Sequence, residues 1–180
     1  MFMARHTINI SLSEKSVNEA IRQLQQYKQS LQYKCGLLVE RLAELGDKAA
    51  IMSVNESPLG RTVTLRVDRK PIQDGYQAIL IATGKTVEVE DREPFYTLLA
   101  IEFGAGIHYN VVANPKADEL GLGVGTYPGQ VHAWDDTWWF WDEQSGSWKP
   151  THGVKATMPM YNATMEIINQ YKQIAREVFS

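Results

Sequence analysis

The hydrophobic positions of this chain change period along its length, and the changes divide it into elements. From Val17 onward, Ile21, Leu24, Leu31, Cys35, Leu38, Leu42 and Leu45 recur at steps of three, four or seven, the spacing of one helix face. The series breaks only at Lys28, where Tyr27 can cover the gap. Ser11 lies three residues before Glu14, a capping-box spacing, with Ser13 as a rival cap; Gly46 supplies a C-terminal stop. The pattern predicts a helix of about 30 residues, roughly 45–50 Å long. Gly36 inside it marks a kink or a close crossing, because an interior glycine costs about 1 kcal/mol relative to alanine. The stripe is heptad-like enough to suggest a coiled-coil dimer. Packing across the protein's own sheet is the simpler expectation.

Residues 4–10 alternate weakly and favour a short strand. After a turn at 56–60 come three β-rich runs, Thr62–Val67, Tyr76–Thr83 and Thr86–Glu90. The last two are joined through Gly84-Lys85, read as a two-residue hairpin of type II′ character. A charged connection over 91–94 leads to Phe95–Phe103, which reads as a buried strand, although its apolar continuity also fits a short buried helix. Residues 104–133 are mostly loop and hold six glycines. Thr137–Asp142 and Trp148–Pro150 then flank Gln144-Ser145-Gly146 as a hairpin with aromatics on both faces. One face can pack on the body; the other must meet a loop or a partner. Finally Met160, Ala163, Ile167, Tyr171, Ile174 and Val178 make a helical stripe behind Pro159 at a first helical position. The expected fold class is α+β: an antiparallel β-sheet packed by a long N-terminal helix and a C-terminal helix. A Gly/Trp-rich loop and hairpin insertion occupies about 104–157 of one domain spanning 1–180.

Composition narrows the function classes. Hydrophobic content of 44% and charged content of 22% are those of a soluble globular domain. Residues 1–50 carry seven basic and five acidic side chains, and 51–150 carry eight against fourteen, so neither part has the dense basic face of a nucleic-acid binder. The single cysteine excludes an internal disulfide and fits a reducing compartment. No apolar run reaches the length of a membrane span, and no charged-then-apolar leader opens the chain. The expectation is a soluble protein, cytosolic when made.

Each candidate chemistry has a weakness. His108, His132, His152, Glu102, Asp135 and Asp136 fall in the loop-rich half, but none of the histidines shows a short ligand spacing, so no metal is expected. Cys35 sits on an apolar helix stripe, where cysteine acts as a small hydrophobe. Gly121, Gly123 and Gly125 superficially resemble a nucleotide fingerprint, yet Pro128-Gly129 interrupts any helix behind them. Glu102 is the most interesting carboxylate. Ending an apolar run, it needs a partner, either the backbone N–H groups of the adjacent glycine turn or a basic side chain across an interface. No cofactor is expected. All five tryptophans, Trp134, Trp138, Trp139, Trp141 and Trp148, fall within fifteen residues, and aromatics in loops either fill a core or anchor a partner.

These landmarks, in this order, carry a resemblance. The long first helix, the β-rich middle, Glu102-Phe103-Gly104-Ala105-Gly106, and then Thr157-Met158-Pro159-Met160-Tyr161-Asn162-Ala163 opening the last helix resemble the neck or minor tail component family of long-tailed bacteriophages. The likeness runs from about residue 11 to 180, with Ala105 where the family commonly has threonine. It implies a non-enzymatic structural protein of the virion, acting in tail completion or head–tail joining. It would form a ring with copies of itself and meet neighbouring head-completion or tail proteins, without specific nucleic-acid recognition and without a membrane. It would be made in the host bacterial cytoplasm, with subunits able to stay monomeric until they join the particle. Glu102, Phe103, Gly104 and Gly106 are then the shared turn, and Tyr127, Trp138, Trp139 and Trp141 further interface candidates. Two other readings stand beside it: a small cytosolic enzyme using Glu102 with a loop histidine, and a tryptophan-based carbohydrate-binding module.

Overall fold

The computed structural model describes residues 8, 11, 13–73, 75–88, 92–112, 114–142 and 144–180, with backbone alone at 110–112. The strand expected over 4–10 lies, residue 8 apart, outside the described residues, as do 89–91.

The architecture is α+β, two long helices with short helices and antiparallel two-stranded ribbons. Helix α1 spans Glu14–Asn55, 42 residues and so about 63 Å. Of the rival caps Ser13 is used: its hydroxyl accepts the Ser16 N–H at 3.3 Å. Gly46 does not stop the helix. It lies in the interior, where an added Cβ would come 2.8 Å from Ile167 Cδ1 of the last helix, α4, Pro159–Phe179. Ala43, Gly46, Ala50 and Ser53 are all buried, so the packing stripe is one of small residues that let two backbones approach. Arg41 and Glu177 pair across the same interface at 2.6 Å. The leucine stripe fares differently in its two halves. Leu38, Leu42 and Leu45 are half-buried, whereas Val17, Ile21, Leu24 and Leu31 are 41–54% exposed. Over Gly36 lies not a second helix but the Tyr76 ring, 3.5 Å from where a Cβ would stand.

Among the described residues the expected sheet is divided into three ribbons. Strands β1 (Val63–Ile72) and β2 (Gly75–Gly84) pair in the register Val67↔Leu80 and lie against α1. Gly84-Lys85 is not a hairpin turn. Strand β3 (Thr86–Val87) leaves β2 and pairs with β4 (Phe95–Tyr96). Gly84 is required for space instead, since a Cβ there would stand 2.6 Å from Leu98 Cβ. The strand expected over Phe95–Phe103 is confined to those two residues; Thr97–Phe103 is helix α2. Ala100 and Ile101 are fully buried, and Thr97, Glu102 and Phe103 nearly so. A short helix enclosed on every side is apolar all round and shows no sequence period that separates it from a strand. The loop after α2 holds the four-residue helix α3, Ala117–Leu120, and a core cluster of Phe103, Ala117 and Tyr127 with Leu99 and Leu122. The expected hairpin is present as β5 (Trp138–Asp142) and β6 (Ser147–Thr151).

Candidate functional site

Two places gather the residues singled out above, and they differ in kind. The first is the junction of α2 with α4. Helix α2 ends at Gly104, whose φ of 81° lets the chain turn sharply, and Ala105 and Val154 then exchange N–H to carbonyl bonds at 2.9 and 2.8 Å. The Glu102 side chain reaches the start of α4. Its Oε2 accepts the Met160 N–H at 2.9 Å, and its Oε1 accepts the Tyr161 N–H at 3.0 Å and the Asn114 side-chain amide at 2.8 Å. With Pro159 as the first helical residue, Met160 and Tyr161 are the second and third, whose N–H groups an N-cap side chain normally satisfies. Met158, the actual cap, has a left-handed backbone and no side-chain oxygen. Glu102 therefore caps α4 through bonds that span 58 and 59 residues. Thr157 and Met158 both donate to the Ile101 carbonyl, at 2.9 and 3.2 Å, and close the junction.

The two motifs that carry the sequence resemblance are thus bonding partners. Burial pushes the Glu102 carboxyl above its usual range, while the donors from Met160, Tyr161 and Asn114 pull it back. No loop histidine is among the groups hydrogen-bonded to this carboxylate. Asn114 is the residue missed in the sequence. The signal was the Asn114-Pro115 dipeptide, a turn marker; Asn114 Oδ1 accepts the Lys116 N–H at 2.9 Å, and this Asx turn aims its amide at Glu102.

Tyr127 lies in this region too, 3% exposed, its hydroxyl donating to the Gly104 carbonyl. Burial pushes the phenol well above its usual range. Glu102, Phe103 and Tyr127, interface candidates from the sequence, are buried within the chain's own fold, and Gly104 and Gly106 are buried with them. Gly106 makes room: a Cβ there would stand 3.0 Å from the Trp138 ring.

The second place is the β5–β6 ribbon. Trp138 is half-buried and stacks on His132 with ring centres 5.8 Å apart. Trp134, Trp139, Trp141 and Trp148 are each more than half exposed, at 68, 62, 52 and 62%. Trp141 and Trp148 meet edge to face across the ribbon at 5.8 Å. The turn is stapled by Asp142, which accepts from the Ser145 hydroxyl at 2.7 Å and from the Lys149 ammonium. The Lys149 bond, with that from Ser145, takes the carboxyl down to about 2.

Of the loop histidines, His132 pairs with Asp135 at 2.6 Å, while His108 and His152 converge on Asp136. Sequence spacing gave no hint of that convergence. The grooves along Glu14–Arg22 and between Arg41 and Glu177 are open to solvent and lie on the helices, not at these clusters. Among the described residues no helix is long and apolar enough to cross a membrane. No protein-family model, curated protein or solved structure matches the chain.

Proposed function

We propose that this chain is a non-enzymatic structural protein of phage assembly that acts in the neck, in tail completion or head–tail joining, by ring-forming contacts. The observation that carries the reading is the exposure of Trp134, Trp139, Trp141 and Trp148 on and beside a two-stranded ribbon. An isolated hairpin is marginal in water, and rings of this size left in solvent favour a partner that covers them. Tryptophan is also the residue most enriched among side chains that dominate interface energy.

Two further features support it. Val17, Ile21, Leu24 and Leu31, 41–54% exposed, leave an apolar line on the N-terminal half of α1, a second surface on a different element. Two unlike surfaces on one chain are what a head-to-tail contact requires, and such contacts make a ring when the rotation from copy to copy closes. The Glu102 carboxylate, the best candidate for acid–base chemistry, is occupied in capping α4.

The test is genetic and visual. A stop codon early in the gene, in its phage or inducible prophage, should give filled heads beside unattached tails, or tails of abnormal length, in electron micrographs of the lysate. Normal infectious particles would sink the assignment. A glycan-array signal abolished by Trp139→Ala would replace it with a sugar-binding role.

A further inference from the structure

We propose that His108, Asp136 and His152 form a binding site for a borderline divalent transition-metal ion of the zinc class. The three residues come from separate segments: the 3-10 turn Ile107–Val112, the approach to β5, and the residue after β6. Sequence separations of 28 and 16 residues are closed by the fold, and one ligand atom from each lies within 4.8 Å of the others. His108 Nε2 is 2.9 Å from Asp136 Oδ1, and the two imidazole rings meet edge to face at 5.1 Å.

The donor set selects the ion. Two imidazoles and one carboxylate suit zinc and its first-row neighbours, whereas calcium and magnesium demand a shell of oxygens. Metal–ligand bonds of about 2.0–2.1 Å put tetrahedral ligands about 3.3 Å apart. The His108–Asp136 contact need only open slightly, and the remaining separations need contract by at most about 1.5 Å from the 4.8 Å limit. All three side chains are exposed and free to make that adjustment.

His152 carries the supporting contact usual for a metal-bound histidine. Its Nδ1 lies 2.9 Å from the Asp136 carbonyl oxygen and 3.1 Å from Thr137 Oγ1. Donation from Nδ1 to that carbonyl fixes the ring's tautomer, with the lone pair on Nε2.

The site sits beside the Ala105–Val154 bridge, so an ion there would tie the turn after α2 to both strands at the open end of the tryptophan ribbon. Three protein ligands leave a fourth position for water or for a donor from a neighbouring molecule. The inference stands independently of the neck reading.

The test is a zinc titration of the metal-free full-length chain against a chromogenic chelator, with cobalt absorption as a check on coordination. One equivalent per chain is expected. His108→Ala and His152→Ala should each weaken binding at least about tenfold, the scale at which even supporting groups of metal sites act. His132→Ala, at a histidine engaged by Asp135 and Trp138, should bind as the wild type does. Far-UV circular dichroism of each variant verifies its fold, and Asp136→Asn provides a third, nearly isosteric loss of ligand. Absence of stoichiometric binding by the wild type overturns the proposal. So does binding that survives both histidine substitutions.

Discussion

The junction that caps α4 and the β5–β6 ribbon use the same chemistry to opposite ends. At the junction a carboxylate, Glu102, is buried and spends its oxygens on N–H donors that would otherwise be orphaned. At the ribbon a carboxylate, Asp142, is also bonded three ways, yet it holds only a turn, and the large rings around it face solvent. One region is complete within the chain. The other has hydrogen bonds enough to hold its shape but too little apolar cover to explain its composition. The contrast separates a region closed within the fold from one that, under the proposed function, a partner would cover.

The largest effect should come from breaking the first region. Glu102→Ala leaves two backbone N–H groups and the Asn114 amide without their acceptor, at a cost of about 2–4 kcal/mol. Urea denaturation should show it as a lower midpoint with an unchanged slope. A loss below about 0.5 kcal/mol would mean that water replaces the carboxylate and that the junction is not the structural tie described.

The opposite behaviour is expected at the ribbon. Trp139→Ser with Trp141→Ser should change the stability of the free chain by less than about 1 kcal/mol, because both rings are already more than half exposed. The same pair should abolish incorporation into particles, scored by complementation of the stop mutant. If the double variant melts early, the rings belong to the core and the comparison fails.

Two pH experiments sharpen the contrast, because the two carboxyl groups are shifted in opposite directions. Burial raises the folded pKa of Glu102. Its contribution to stability is therefore fully present below its unfolded pKa and is lost as pH rises through the folded value. Relative to Glu102→Gln, the wild-type urea midpoint should fall as pH rises above 4.5. A flat difference would show that the donors cancel the burial. Asp142 is depressed to about 2, so its contribution is present above the unfolded value of 3.8 and lost as pH falls through about 2. Lys149→Met should move that loss upward toward 3.8, read from the near-UV dichroism of the tryptophans. An unchanged acid transition would show that the staple is not what holds the ribbon.

Local chemistry was legible where neighbours in sequence are neighbours in space. Ser13 before Glu14, Pro159 at the first helical position, and Gln144-Ser145-Gly146 between aromatic runs each mark an element end with groups a few residues apart. The α+β class followed from the change of hydrophobic period. Glu102 was legible as a carboxylate in need of a partner, but its donors are neither the N–H groups of the adjacent glycine turn nor a basic side chain, the two partners expected. That the partner would be the α4 terminus was not legible, because nothing local links residue 102 to residue 160.

Sequence by itself determined the two long helices, the hairpin that carries the tryptophans and the absence of an internal disulfide, because period, caps and composition act over a few residues. Tertiary structure alone decided that Phe95–Phe103 is mostly helix, that Gly46 admits Ile167 instead of ending α1, and that Gly84 admits Leu98 instead of turning a hairpin. It also placed Glu102 at α4 and drew His108, Asp136 and His152 together. In each case the deciding neighbour is distant along the chain, and an apolar residue or a glycine has the same local preferences whichever neighbour it meets. Packing supplies the neighbour, and with it the meaning of the residue.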